Sequence, residues 1–105
     1  MCLLLLSVSV RAAPVTLTAE DWARSRTGAA LTQQPALAAT VKAFEGQADA
    51  VIVIAHGSDE AGQLWAEELR SWLVAFGITS ARIHFESRPG LQNTLVLDVR
   101  ARSSL

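Results

Sequence analysis

"ADAVIVIAHGSDEAGQLW", residues 48 to 65, decides the fold. From Ala50 to Ala55 no polar residue interrupts the apolar run, and Val and Ile dominate it. A strand half in water alternates apolar and polar residues. An unbroken run therefore marks a strand covered on both faces, or covered on one face with a neighbour at each side. These residues are read as the centre of a sheet. At Asp59 the period changes: Ala61, Trp65, Leu69, Trp72, Leu73 and Phe76 recur at helical spacing, while Gln63, Glu67, Arg70 and Ser71 take the other side. An amphipathic helix thus opens at Asp59 and closes at Gly77, and is expected to bury Trp65, Leu69, Trp72 and Phe76 against the sheet. Asp59 and Glu60 occupy its first turn, where carboxylates meet the positive end of the helix dipole.

Upstream, "VTL" at 15 to 17 is a short strand, and "TAED" from Thr18 has capping-box spacing, with Asp21 able to return a hydrogen bond to the Thr18 amide. A short helix through Trp22 follows and stops near Thr27 and Gly28. Pro35 suits the first position of a second helix, whose Leu37, Ala38, Val41 and Phe44 share a face and which ends at Gly46. Downstream the period becomes two. Ala81, Ile83 and Phe85 alternate with Arg82, His84 and Glu86; after a turn around Pro89 and Gly90, Leu95, Leu97 and Val99 alternate with Val96, Asp98 and Arg100. This predicts two antiparallel strands, 81–86 and 94–99, joined as a hairpin, with 81–86 parallel to the central strand through the long helix. The expected architecture is an α/β (α+β) two-layer sandwich of order β-α-α-β-α-β-β, a mixed sheet with helices on one face.

Composition limits the function. The chain has 105 residues, half of them apolar, which suits one small domain. Nine Lys and Arg against ten Asp and Glu leave a formal net charge of -1, so no overall field draws the molecule to nucleic acid. Residues 1–13, "MCLLLLSVSVRAA", read as a truncated signal peptide: an apolar run from Leu3 to Val10, then small residues, then Pro14. The run is too short to cross a bilayer of ~30 Å. The expected product is a periplasmic or secreted domain, residues 14–105, with no transmembrane span. Cys2 is the only cysteine and lies in the segment to be removed, which excludes disulfides, Cys nucleophiles and thiolate metal sites from the mature chain.

One stretch combines polar groups that could do chemistry. His56, Gly57, Ser58 and Asp59 follow the central strand, where α/β folds commonly place sites, and they support an alternative reading as a small hydrolase or metal-dependent enzyme. Ser58 is two residues from His56, however, and a triad draws its members from separate elements. The other histidine, His84, lies in a strand, and neither histidine has metal-ligand spacing. Gly57 and Gly62 lack the Lys-Ser/Thr of a phosphate loop. The residues therefore favour no catalytic group, no metal and no cofactor, and place His56 in an exposed strand-to-helix turn capped by Ser58 or Asp59. An apolar strand, His-Gly-Ser and a helix are also similar to the opening of sirohydrochlorin-type chelatases, but too few residues follow for the rest of that fold.

A wider stretch, residues 35 to 86, resembles the OmpA-like domain, a periplasmic module that anchors envelope proteins to peptidoglycan. "PALAATVKAFEGQADAVIVIAHGSDEAG" is similar to that family's helix, strand and "GHTD..G" loop, and "WLVAFGITSARI" to its "YL...GI...RI" passage. The resemblance implies a non-enzymatic envelope-associated binding or protein-interaction domain, with peptidoglycan or another envelope protein as partner. In the family an aspartate and an arginine early in the following helix hold the peptide stem. Asp59 matches the aspartate and Gly62 the glycine after it. "LWAEEL" occupies the place of the arginine, and Arg70, further along the helix, is the basic residue that could stand in. Asp59 and Arg70 are the ligand-binding candidates.

Overall fold

The computed structural model describes residues 13–24 and 28–104. The signal-peptide reading, Cys2 included, falls almost wholly on residues 1–12, outside the described residues. The elements are β1 (Val15–Thr18), α1 (Ala19–Arg24), α2 (Gly28–Gln33), α3 (Pro35–Glu45), β2 (Ala50–His56), α4 (Glu60–Ala75), β3 (Ile83–Ser87) and β4 (Thr94–Ala101), with short 3-10 turns at Ser80–Arg82 and Arg102–Ser104. The mixed α/β architecture expected from the sequence is present. The helix α2 was not anticipated, and residues 81 and 82 form a turn before β3.

The four strands lie in the order β1-β4-β2-β3. β2 and β3 are parallel, Ile52 facing Ile83 and Ile54 facing Phe85. β4 is antiparallel to both β1 and β2, with Leu97 facing Val15 on one side and Ile54 on the other. The predicted hairpin is therefore corrected: β3 and β4 do not pair, and the chain between them crosses over the end of β2. Crossing two inter-strand spacings takes about 10 Å, and the six residues Arg88 to Asn93 supply it. Placing β2 inside gives each of its edges a partner, which suits its apolar run.

One sheet face packs on the helices. Leu17, Ala50, Ile52, Ile54, Ile83, Leu95, Leu97 and Val99 form a single cluster with Trp22, Leu31, Leu37, Phe44, Ala66, Leu69 and Leu73. α4 buries Ala66, Leu69 and Leu73, whereas Trp65 and Trp72 are only partly buried. Phe76 is 38% exposed, against the expectation that it joins the core. It is the C-cap of α4, where the chain leaves the helix for Gly77 in the left-handed region (φ 102°). The caps are local. Thr18 Oγ1 accepts from the Asp21 amide at 3.1 Å and Gln34 Oε1 from the Leu37 amide at 2.9 Å.

The other sheet face has a different cover. Val51, Val53 and Ala55 are at most 3% exposed although they point away from the core cluster. Arg100 on β4 pairs with Asp98 on its own strand at 2.6 Å and with Glu86 on β3 at 3.4 Å. β2 lies between those strands, so the ion pair spans it, and the aliphatic stem of Arg100 is available to shield the β2 side chains from water. Arg82 ties the neighbouring corner. It donates to the Ala50, Ala48 and Gln47 carbonyls while its guanidinium stacks 4.1 Å from the Phe44 ring centroid, joining the end of α3 to the start of β3.

Candidate functional site

The C-terminal end of β2 meets two other segments. The loop from Gly57 to Asp59 leads into α4, and the crossing loop from Arg88 to Asn93 returns over it. The Arg88 amide donates to the His56 carbonyl at 2.8 Å, and the Ala19 amide at the start of α1 donates to the Asn93 carbonyl at 2.9 Å. Asn93 holds a positive φ of 53°, a conformation Asn tolerates better than most residues. These bonds fix the crossing loop against both β2 and α1.

The packing there is close. A Cβ on Gly57 would stand 2.5 Å from the Leu91 carbonyl oxygen, and one on Gly62 2.8 Å from Asp59 Oδ1 and 3.0 Å from the Gly57 carbonyl. The two glycines thus let the first turn of α4 and the crossing loop approach the strand end from opposite sides. The sequence showed both glycines but not the role of Gly57, which depends on a loop about thirty residues away in sequence.

Asp59 stands at the junction. It is the N-cap of α4 with extended backbone, but its carboxylate makes no capping hydrogen bond. The expectation that Asp59 caps through its side chain is corrected. One carboxylate oxygen lies instead beside Gly57 and Gly62. A cleft of about 330 Å³ is lined by Ser58, Asp59, Gly90, Leu91, Gln92 and Asn93. A second hollow of about 180 Å³, sharing Asp59, Leu91 and Asn93, reaches Gly57, Gly62 and Trp65. The indole Nε1 of Trp65 is buried and has no hydrogen-bond partner. An unmet buried donor costs about 1–3 kcal/mol. One carboxylate, two side-chain amides and a hydroxyl line the cleft and can bind a neutral or cationic polar ligand. They offer no nucleophile with an adjacent base.

Arg70 is elsewhere. It lies eleven positions beyond Asp59, roughly 16 Å along the helix axis at 1.5 Å per residue. Its guanidinium turns to the Phe85 ring, 5.9 Å from the centroid, instead of to Glu67. It lines a separate hollow with Glu67, Ser71, Val74 and Ser80. The fold does not bring the two candidate residues together.

His56 ends β2 and is only 8% exposed, so the expectation of a solvated loop histidine is corrected. Its parity is that of Ile52 and Ile54, which turns the ring to the helix side, edge-on to Phe85 at 6.0 Å. Nδ1 lies 2.8 Å from the Gly57 carbonyl oxygen, a contact that assigns the proton to Nδ1 and holds the turn. Ser58 is exposed and is not bonded to it. Among the described residues no three His, Cys, Asp or Glu side chains are gathered as a metal site would need. No helix among them is long and apolar enough to cross a membrane.

Glu86, on the open sheet face, is the carboxylate whose surroundings act most clearly on it. The hydrogen bond from Arg88 holds its pKa below the ordinary carboxylate value; desolvation opposes this, and the charge and hydrogen bond of Arg100 act in the same direction as Arg88. It lies on the sheet face away from His56. Comparison of the chain with family models, curated proteins and solved structures finds no match.

Proposed function

We propose that this protein is a small non-enzymatic binding domain of OmpA-like type that works in the cell envelope, with the cleft around Asp59 as its ligand site. The observation that carries the reading is the junction itself, where a carboxylate without a capping bond shares a hollow with the unpartnered Trp65 indole. The β-α-β-α-β-β core and the match of Asp59 to the family's ligand-holding aspartate support it. Peptide stems of peptidoglycan suit such a cleft, because they present amide groups and, in the diamino acid, an ammonium that a carboxylate can hold by a charge-assisted bond. Among the described residues no guanidinium lines the cleft with Asp59, which implies weak binding of the stem carboxylates. Export is part of the same reading, with the mature chain beginning near Ala13 or Pro14.

Titration of the full chain with soluble peptidoglycan fragments tests the proposal. A charge-assisted hydrogen bond contributes about 1.5–3 kcal/mol, so Asp59→Ala should weaken binding by roughly tenfold or more, while Arg70→Ala should leave it unchanged. Failure of the unaltered protein to bind, or indifference to Asp59→Ala, would overturn the assignment. Recovery of cytoplasmic protein with Met1 retained would overturn the export reading.

A further inference from the structure

The sheet order leaves β3 at an edge, and no described strand pairs with its outer side. Five consecutive residues, Ile83 to Ser87, run there without the lysine, proline or bulge that commonly blunts an exposed edge. Phe85 is 41% exposed beside it. The hydrogen-bonding parity of that edge follows from one contact. Because the Arg88 amide donates to the His56 carbonyl, the backbone groups of Glu86 and His84 also turn inward to β2. Those of Phe85 and Ser87 turn outward, as does the Ile83 carbonyl, while the Ile83 amide donates to the Ser80 carbonyl within its own chain.

We propose that this edge is a self-association surface, on which a second copy of the chain pairs antiparallel about a twofold axis through Phe85 to make one continuous sheet. Phe85 then exchanges both of its outward backbone bonds with the partner's Phe85, and the Ile83 carbonyl accepts from the amide of the partner's Ser87, the Ile83 amide being engaged with the Ser80 carbonyl. Between them His84 lies opposite the partner's Glu86, and by symmetry Glu86 opposite the partner's His84. These are the non-hydrogen-bonded positions, where side chains approach most closely, with Cα atoms about 4.5 Å apart.

The register follows from the same residues. Outward groups alternate, so neighbouring registers differ by two residues. One shift sets His84 against itself and the other sets Glu86 against itself. Only the register centred on Phe85 opposes an acceptor to a donor at both positions. Glu86 has capacity for it, since a carboxylate accepts about four hydrogen bonds and this one already serves Arg88 and Arg100. Arg82, which would flank the edge, is folded back onto the Ala50 and Ala48 carbonyls. The surface is self-complementary, as a twofold interface requires.

Sedimentation velocity of the full chain over a range of concentrations tests the proposal. The expected result is a monomer-dimer equilibrium. Ser87→Pro removes an outward N–H that the monomer's own ladder does not use, so it should abolish dimerisation while leaving the far-ultraviolet circular dichroism and melting transition of the monomer in place. His84→Glu should weaken association by roughly tenfold, since two like-charge pairs replace two attractive ones, and His84→Lys should preserve it. In a Cys2→Ser background, Phe85→Cys should form a disulfide-linked dimer on mild oxidation, whereas Val74→Cys should not. A chain that stays monomeric at the highest concentration reached overturns the proposal. So does a dimer indifferent to Ser87→Pro, or an edge that captures an extended peptide of another protein while the chain itself remains monomeric.

Discussion

Replacing Gly57 with alanine adds one methyl group at the most crowded of the described glycines. The new Cβ would stand 2.5 Å from the Leu91 carbonyl oxygen and 2.9 Å from Asp59 Oδ1. Carbon and oxygen ordinarily keep about 3.3 Å or more, so the crossing loop must retreat by about 0.8 Å. That loop is pinned by the Arg88 to His56 and Ala19 to Asn93 bonds, which leaves it little room to yield. Overpacking of this kind costs about 1–3 kcal/mol, and the stiffer unfolded chain returns about 0.4–1 kcal/mol because Gly57 is not in the left-handed region. The net expectation is a loss of about 1–2 kcal/mol, and each kcal/mol lowers Tm by about 4–8 °C in a domain of this size. Gly46→Ala is the control. It adds the same methyl group where the nearest atoms, carbonyl oxygens, lie 3.6 and 3.7 Å away, at a helical φ of -74°, and should gain about 0.4–1 kcal/mol. Urea and thermal unfolding followed by tryptophan fluorescence and circular dichroism measure both. A Gly57→Ala midpoint equal to or above that of the unaltered protein would refute the reasoning, because it would mean that the loop does not press on the strand end.

Leu69→Ala, at a side chain with no exposed surface, should cost about 2–5 kcal/mol, whereas Phe76→Ala at the exposed end of α4 should cost less than about 1 kcal/mol; equal losses by urea unfolding would contradict the orientation of the helix. The pKa of Glu86 is lowered in the folded state, so its contribution is fully present above the unfolded carboxylate value and is lost as pH falls through the folded one. Glu86→Gln should therefore flatten part of the acid limb of stability below about pH 4.5 and change little in shape above it; an unaltered acid limb in that variant would remove Glu86 from the account.

Much of the fold was legible because periodicity reports directly on burial. The unbroken run from Val51 to Ala55 marks a strand that is buried on both sides, and the switch to helical spacing at Asp59 places the start of α4 correctly. Alternation in residues 83–87 and 94–101 fixes which side of the sheet each residue faces. It carries no information about which strand lies next door, and for that reason the hairpin reading failed. His56 was misjudged because polarity suggested a loop, while the ladder with β3 extends through Ser87 and keeps the ring on the helix side. Phe76 was misjudged because helical periodicity was carried into the cap. The Asp59 cleft was half visible. Asp59 and the glycines could be named from the loop, but Leu91 and Asn93 come from a segment whose path depends on the strand order.

That strand order bears on how the chain reaches its final state. β4 is the last strand to be synthesised, yet it lies between β1 and β2, which come first and second. Until residues 94–101 take their place, Val15 and Leu17 have no strand to join, and one edge of β2 remains open. Helices α3 and α4 can form earlier from local contacts, but the sheet closes only when β4 is in place. Pairings this distant in sequence slow folding, because loop-closure entropy must be overcome before the contacts are rewarded. Any intermediate that lacks β4 therefore presents an open apolar edge of β2, the kind of surface that invites aggregation until residues 94–101 are in place.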